Sequence, residues 1–172
     1  MSVIDLMKER YSCRCFLERQ VEPEKLEAVL NAGRIAPTAV NYQPQRVYVI
    51  QSDEGLAKIR QATRMAFNAP VVLMFCYDDR VVWNNKRDPG YNSGEMDVSI
   101  VATHMMLAAT ELGLQTLWAR GYATKDIVEA FNLPEHMHLV CIMPIGYPDP
   151  EKGKPSPKHF DRRSLEEQVT YL

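Results

Sequence analysis

Residues 97–112, DVSIVATHMMLAATEL, put apolar side chains on nearly every face of a helix. Val98, Ile100, Val101, Ala102, Met105, Met106, Leu107, Ala108, Ala109 and Leu112 leave room for one narrow polar stripe, Ser99, Thr103 and Thr110, spaced by four and seven. A helix that is apolar all round has to be covered on most sides. The chain has 172 residues, about one domain's worth, and a single α/β layer structure of that size rarely covers every face of a helix. A second copy of the chain would supply the missing cover, so this segment predicts a homodimer. A central helix in a monomeric core is the alternative.

Apolar residues make up 46% of the chain and charged residues 24%, as in ordinary soluble domains, so a core can form without metal or disulfides. The net charge of −2 and pI of about 6.1 carry no basic footprint for nucleic acid or anionic membrane. Cys13, Cys15, Cys76 and Cys141 are too few and too scattered for a disulfide framework. The first residues, MSVIDLMKER, have no apolar run of signal-peptide length, and no window suits a membrane-spanning helix. The expected location is a reducing cytoplasm.

Ser2 followed by Asp5 three residues on predicts a capped first helix reaching Arg10. Pro23 suits a first helical position, and Leu26, Val29, Leu30 and Gly33 follow at helical spacing. Pro37 should end that helix near Ile35. Residues 46–51 read as a strand, and Asp53 opens a helix through about Met65. Residues 70–77, PVVLMFCY, read as a strand covered on both faces. Residues 78–95 are polar and rich in Asn, Pro and Gly, which predicts a long loop or lid carrying Trp83. After the apolar helix come a short strand at 115–118, a helix capped by Thr124 and a strand at 138–145. From Pro148 on, prolines and mixed charges predict an extended arm, residues 149–172 of one domain spanning 1–172, able to wrap a partner subunit. The mixture without strict βαβ alternation argues for an α+β fold.

Several chemistries are missing. No G-x-G-x-x-G follows a strand, and there is no G-x-x-x-x-G-K-[ST], H-E-x-x-H, C-x-x-C or G-x-S-x-G. Cys13 and Cys15 alone make a poor metal site, so none is expected. His104, His136, His138 and His159 are dispersed, and His104 falls in the apolar helix. A chain without an acid–base motif can leave the chemistry to a cofactor.

Four segments suit that role. In Arg10-Tyr11-Ser12-Cys13-Arg14, an extended backbone would place Arg10, Ser12 and Arg14 on one side, a receptor for phosphate; a solvated basic face is the alternative. Residues 36–44, APTAVNYQP, set Asn41 and Gln43 between prolines, with paired donors and acceptors for a heteroaromatic edge. The third segment is Trp118-Ala119-Arg120-Gly121. The fourth is Pro144-Ile145-Gly146, followed downstream by Arg162 and Arg163.

Their order resembles the nitroreductase family of FMN proteins. It runs R-x-S-x-R, then A-P-T-x-x-N-x-Q-P, then Asp97 with Met105, Leu107, Ala108, Ala109 and Leu112-Gly113-Leu114, then I-G-Y-P and R-R-x-L-E-E. The resemblance spans nearly the whole chain. It implies a mostly antiparallel central sheet flanked by helices, in an intertwined homodimer with an extended C-terminal arm. It implies that Arg10, Tyr11, Ser12 and Arg14 hold the phosphate and ribityl chain of FMN, with Arg162 and Arg163 closing on the phosphate. Pro37, Thr38, Ala39, Asn41 and Gln43 would reach the flavin of the other subunit. Trp118, Ala119, Arg120 and Gly121, with Pro144, Ile145 and Gly146, would present backbone beside the ring. The implied activity is hydride transfer from NAD(P)H through the flavin to a small oxidised acceptor such as a nitroaromatic or quinone; a non-catalytic FMN-storage protein is the alternative. Arg120 puts a charge beside the ring-facing segment, which would favour an acidic acceptor or the extra phosphate of NADPH. Tyr11, Gln45 and Ser164 depart from residues common in the family, where a basic residue, an aromatic and a proline often stand.

Overall fold

In the computed structural model, which describes residues 2–172, the main elements are α1 (Val3–Glu9), α2 (Pro23–Arg34), β1 (Gln45–Ile50), α3 (Asp53–Ala62), β2 (Val71–Asp78), α4 (Gly94–Glu111), β3 (Gln115–Thr116), α5 (Thr124–Phe131), β4 (Met137–Gly146) and α6 (Leu165–Gln168). The strands form one antiparallel sheet in the order β1-β2-β4-β3. The fold is α+β, as the sequence predicts.

The unbroken apolar run of β2 follows from its place at the centre of three layers. Val71, Leu73 and Phe75 face α2 and α4 together with Cys141, Met143 and Ile145 of β4. Val72, Met74 and Cys76 face the opposite way, into a second core with Leu56 and Ile59 of α3 and Ile127 of α5. Period-two alternation therefore serves two cores at once. A register shift between Phe75 and Cys76 interrupts the β2–β4 ladder.

Local chemistry sets most boundaries. Ser2 and Asp5 form the expected capping box on α1, and Pro23 sits at the start of α2. Three expectations need correction. The helix from Asp53 stops at Ala62, because Thr63 is extended and its hydroxyl accepts from the Met65 N–H, opening a separate 3-10 turn at Arg64–Ala66. Thr124 is the first residue of α5 and not its cap; its hydroxyl is engaged by Arg120 instead. The apolar helix begins three residues before Asp97, and His104 on it is exposed.

α4 satisfies its polar stripe on its own backbone. Ser99, Thr103 and Thr110 hydroxyls donate to the carbonyls of Glu95, Ser99 and Met106 at 2.6, 2.8 and 3.1 Å. The His104 ring nitrogen Nδ1 donates to the Ile100 carbonyl at 2.9 Å. α2 crosses α4 closely at Gly33: a Cβ there would sit 2.8 Å from Met105 Cγ. The arm is not wholly extended. A 3-10 turn at Pro157–His159 and the one-turn α6, with its Ser164–Glu167 capping box, punctuate it, and residues 161–172 are exposed.

Candidate anion and ring site

The first segment is extended, as its alternation requires. Ser12 bridges Thr116 in parallel, and Cys13 N–H donates to the Thr116 carbonyl at 2.9 Å, so residues 11–13 continue the sheet beyond β3. Cys13 is fully buried against Phe16 and Ala69. Its burial turns the alternate residues Arg10, Ser12 and Arg14 to the other side. These three line a cavity of about 230 Å³ with Ser156, Lys158, His159 and Arg162.

The two ends of the chain meet there through specific bonds. His159 Nε2 donates to the Lys8 carbonyl at 3.2 Å, and its ring meets Tyr11 edge-on with centroids 6.3 Å apart. Asp149 N–H donates to the Cys15 carbonyl at 3.0 Å, and Gly153 N–H to the Asp149 carbonyl at 2.8 Å. A Cβ on Gly153 would lie 2.6 Å from the Cys15 carbonyl oxygen, so a glycine is required at this crossing.

Among the described residues, no acidic residue lines the cavity. Among the described residues, Arg10, Arg14, Lys158 and Arg162 form no ion pair. Among the described residues, Arg14 and Arg162 donate only to backbone carbonyls: Arg14 to Ser12 at 3.1 Å, and Arg162 to Asp161 at 2.8 Å and Lys158 at 3.4 Å. Burial holds the Arg10 pKa below its ordinary value, and the like charge of Arg162 lowers it further. A dianion entering this cavity would offset both by favouring the charged guanidinium. Arg163 does not line it. Arg14 also borders a larger cavity of about 770 Å³ with Arg60, Arg64, Thr63, Phe67 and Asn68.

The second segment is held in an unusual backbone. Val40, Asn41 and Gln43 take left-handed φ of 53°, 56° and 52°, each costing on the order of 1–3 kcal/mol unless the surroundings hold it. Thr38 Oγ1 accepts from Gln43 N–H at 3.0 Å, and Ala39 N–H donates to the buried Asp97 at 2.8 Å. Pro37, Asn41 and Gln43 are exposed, and none of the segment lines the basic cavity of its own chain.

The third and fourth segments lie side by side. Ala119 N–H donates to the Ile142 carbonyl at 2.9 Å and Leu117 N–H to the Pro144 carbonyl at 3.3 Å. Trp118 is half-buried against the α2–α4 core. Pro144, Ile145 and Gly146 are buried at the end of β4, and a Cβ on Gly146 would meet the Pro70 ring at 2.8 Å. Gly121 is exposed. Arg120 bends back on its own chain: it donates to Thr124 Oγ1 at 2.9 Å and lies 5.2 Å from the Tyr122 ring centroid.

Sequence reasoning missed Ser156, Lys158 and His159. Their signal was the basic run K-P-S-P-K-H, legible as charge and not as position.

The Nitroreductase family matches the chain over residues 7–67 and 63–147. A nitroreductase family protein of known structure from Clostridium difficile 630 superposes with a TM-score of 0.92 at 41% identity, covering 99% of this chain and 98% of that one. An FMN-dependent nitroreductase from Clostridium difficile R20291 superposes with a TM-score of 0.77 at 27% identity, covering 98% of each. A relative from Methanothermobacter thermautotrophicus whose name includes NAD(P)H nitroreductase is 32% identical over 96% of this chain and 87% of its own. The chain belongs to the nitroreductase family.

Proposed function

We propose that this protein is an FMN-dependent oxidoreductase that passes hydride from NAD(P)H to a small oxidised acceptor such as a nitroaromatic or a quinone. The observation that carries the reading is the convergence of Arg10, Ser12, Arg14 and Arg162, from opposite ends of the chain, on one cavity without a counter-charge among the described residues. The donor set suits a phosphate dianion: three guanidinium groups and a hydroxyl. Relatives named for FMN and NAD(P)H support it.

When bound, the flavin supplies the hydride chemistry. The protein's part is to bind and orient. Arg10, Ser12, Arg14 and Arg162 hold the phosphate, with Tyr11 and Arg163 beside them. Backbone at Trp118, Ala119, Arg120 and Gly121, and at Pro144, Ile145 and Gly146, would line the ring. Pro37, Thr38, Ala39, Asn41 and Gln43 would reach the ring of a second copy, consistent with the exposure of Pro37, Asn41 and Gln43 and with the segment not lining the basic cavity of its own chain. The working unit is therefore a homodimer. For a nitro acceptor the overall change is R–NO2 + NAD(P)H + H+ → R–NO + NAD(P)+ + H2O, and no side chain has to serve as acid or base on the hydride path.

Flavin-free protein titrated with FMN and with riboflavin tests the phosphate assignment. Tight binding of FMN, and binding of riboflavin weaker by two or more charge-assisted bonds, is expected. Equal affinity for the two would remove the assignment.

A further inference from the structure

Residues 83–92 form a pinned hairpin with a cavity on one side. Asn84 bridges Asn92, Asn85 N–H donates to the Tyr91 carbonyl at 3.0 Å, and Ser93 N–H donates to the Trp83 carbonyl at 3.0 Å. Tyr91 meets Trp83 edge-on, with ring centroids 6.4 Å apart. The hairpin is tied to the strained segment through one side chain: Ser93 Oγ donates to Asp97, which also accepts from Ala39 N–H. The hairpin and the 37–43 segment thus hang from the same buried carboxyl group.

Between them lies a cavity of about 620 Å³, walled by Tyr42, Trp83, Lys86 and Arg87 together with Val82, Asn84 and Asn85. That volume holds a small aromatic molecule. Among the described residues, the wall has two aromatic side chains and two cations and no acid. Among the described residues neither Lys86 nor Arg87 forms an ion pair, although Asp88 follows directly in the hairpin tip.

We propose that this hairpin makes the enzyme select aromatic acceptors that carry an anionic group. Trp83 and Tyr42 receive the ring and Lys86 and Arg87 the anion. Arg120, the charge that the sequence offered for this role, is engaged with Thr124. The inference rests on the proposed function, because it takes the 37–43 segment to stand at the flavin.

The test uses the FMN-loaded enzyme with two acceptors of nearly one shape, 4-nitrobenzoate and the neutral 4-nitrobenzamide. The ratio of their kcat/KM values is measured for the wild type and for a Lys86→Gln/Arg87→Gln variant. The wild type is expected to prefer the benzoate by about tenfold at low salt, with the preference shrinking as salt rises. In the variant the ratio falls to about one, while flavin content and the anaerobic rate of reduction by NAD(P)H stay at wild-type values. A wild-type ratio near one in an enzyme that is flavin-loaded and active overturns the inference alone. So does a ratio that survives in the variant, or a variant whose defect is confined to the KM for NAD(P)H, which would assign the two cations to the dinucleotide. A protein that takes up no flavin overturns the functional reading beneath it.

Discussion

The Asp97 carboxyl group accepts the Ala39 N–H at 2.8 Å across 58 residues of sequence, joining helix α4 to a loop that holds three left-handed residues. Asp97 is 2% exposed, and its other oxygen accepts from Ser93 Oγ at 2.6 Å. Asp97→Ala removes both bonds and leaves a backbone N–H and a hydroxyl in need of partners. The cost is about 2–4 kcal/mol, at the upper end for one buried polar side chain. Urea unfolding of the flavin-free protein should show the loss, and hydrogen exchange at 38–43 should speed up more than exchange in β2.

Glu22 and Tyr147 link α2 to the end of β4. Tyr147 OH donates to Glu22 Oε2 at 2.6 Å, and Arg19 approaches Oε1 at 2.6 Å. The Tyr147 bond, the Glu22 backbone and Arg19 lower the Glu22 pKa from 4.5 to about 2. A depressed carboxyl pKa contributes stability above the ordinary pKa, lost as pH falls through the folded value. Melting temperature should therefore drop between pH 5 and 2 in part through Glu22. Tyr147→Phe should be less stable at neutral pH and should lose less over that acid range. An unchanged acid slope would remove Glu22 from the account.

α1 buries none of its residues within one chain, and Val3 and Ile4 are each 65% exposed, with Met96 of α4 also exposed. A second copy of the chain packed on α1 would take these side chains out of water. Sedimentation should find a homodimer, and Ile4→Glu should shift it toward monomer. Flavin should be lost in parallel if, as proposed, each site takes its 37–43 segment from the other copy. A flavin-loaded monomer would contradict the shared site.

Arg10→Ala, Arg14→Ala and Arg162→Ala should each weaken FMN binding by about 2–4 kcal/mol, roughly 30- to 900-fold, through lost charge-assisted bonds. Riboflavin affinity should change much less. Arg163→Ala, outside the cavity, should have a smaller effect. Equilibrium titration followed by flavin fluorescence gives all four numbers.

The elements were legible because periodicity is local. The alternation in β2, the Ser2–Asp5 box and Pro23 each settle structure within a few residues. The R-x-S-x-R pattern also foretold that Arg10, Ser12 and Arg14 share a side, since an extended backbone leaves no other choice. What stayed hidden depends on contacts across the chain. His159 reaches Lys8 over 151 residues, and no local signal marks Ser156 or Lys158 as neighbours of Arg10. Asp97 reads as a helix start but lies inside α4, because its partners, Ser93 and Ala39, belong to other segments. The left-handed Val40 could not be anticipated, since a β-branched residue avoids that region unless tertiary bonds hold it there. Arg120 shows the converse: its position suggested a role toward ligand, and a bond to Thr124 four residues on redirects it.

The most direct test of the central claim is the visible absorption spectrum of the FMN-reconstituted protein under nitrogen, before and after NADH and then NADPH. Oxidised-flavin bands are expected that bleach with at least one donor and return when a nitroaromatic is added. Bands that persist with both donors would make the protein a flavin store and contradict the claim of a reductase; no bands at all would contradict the flavin site.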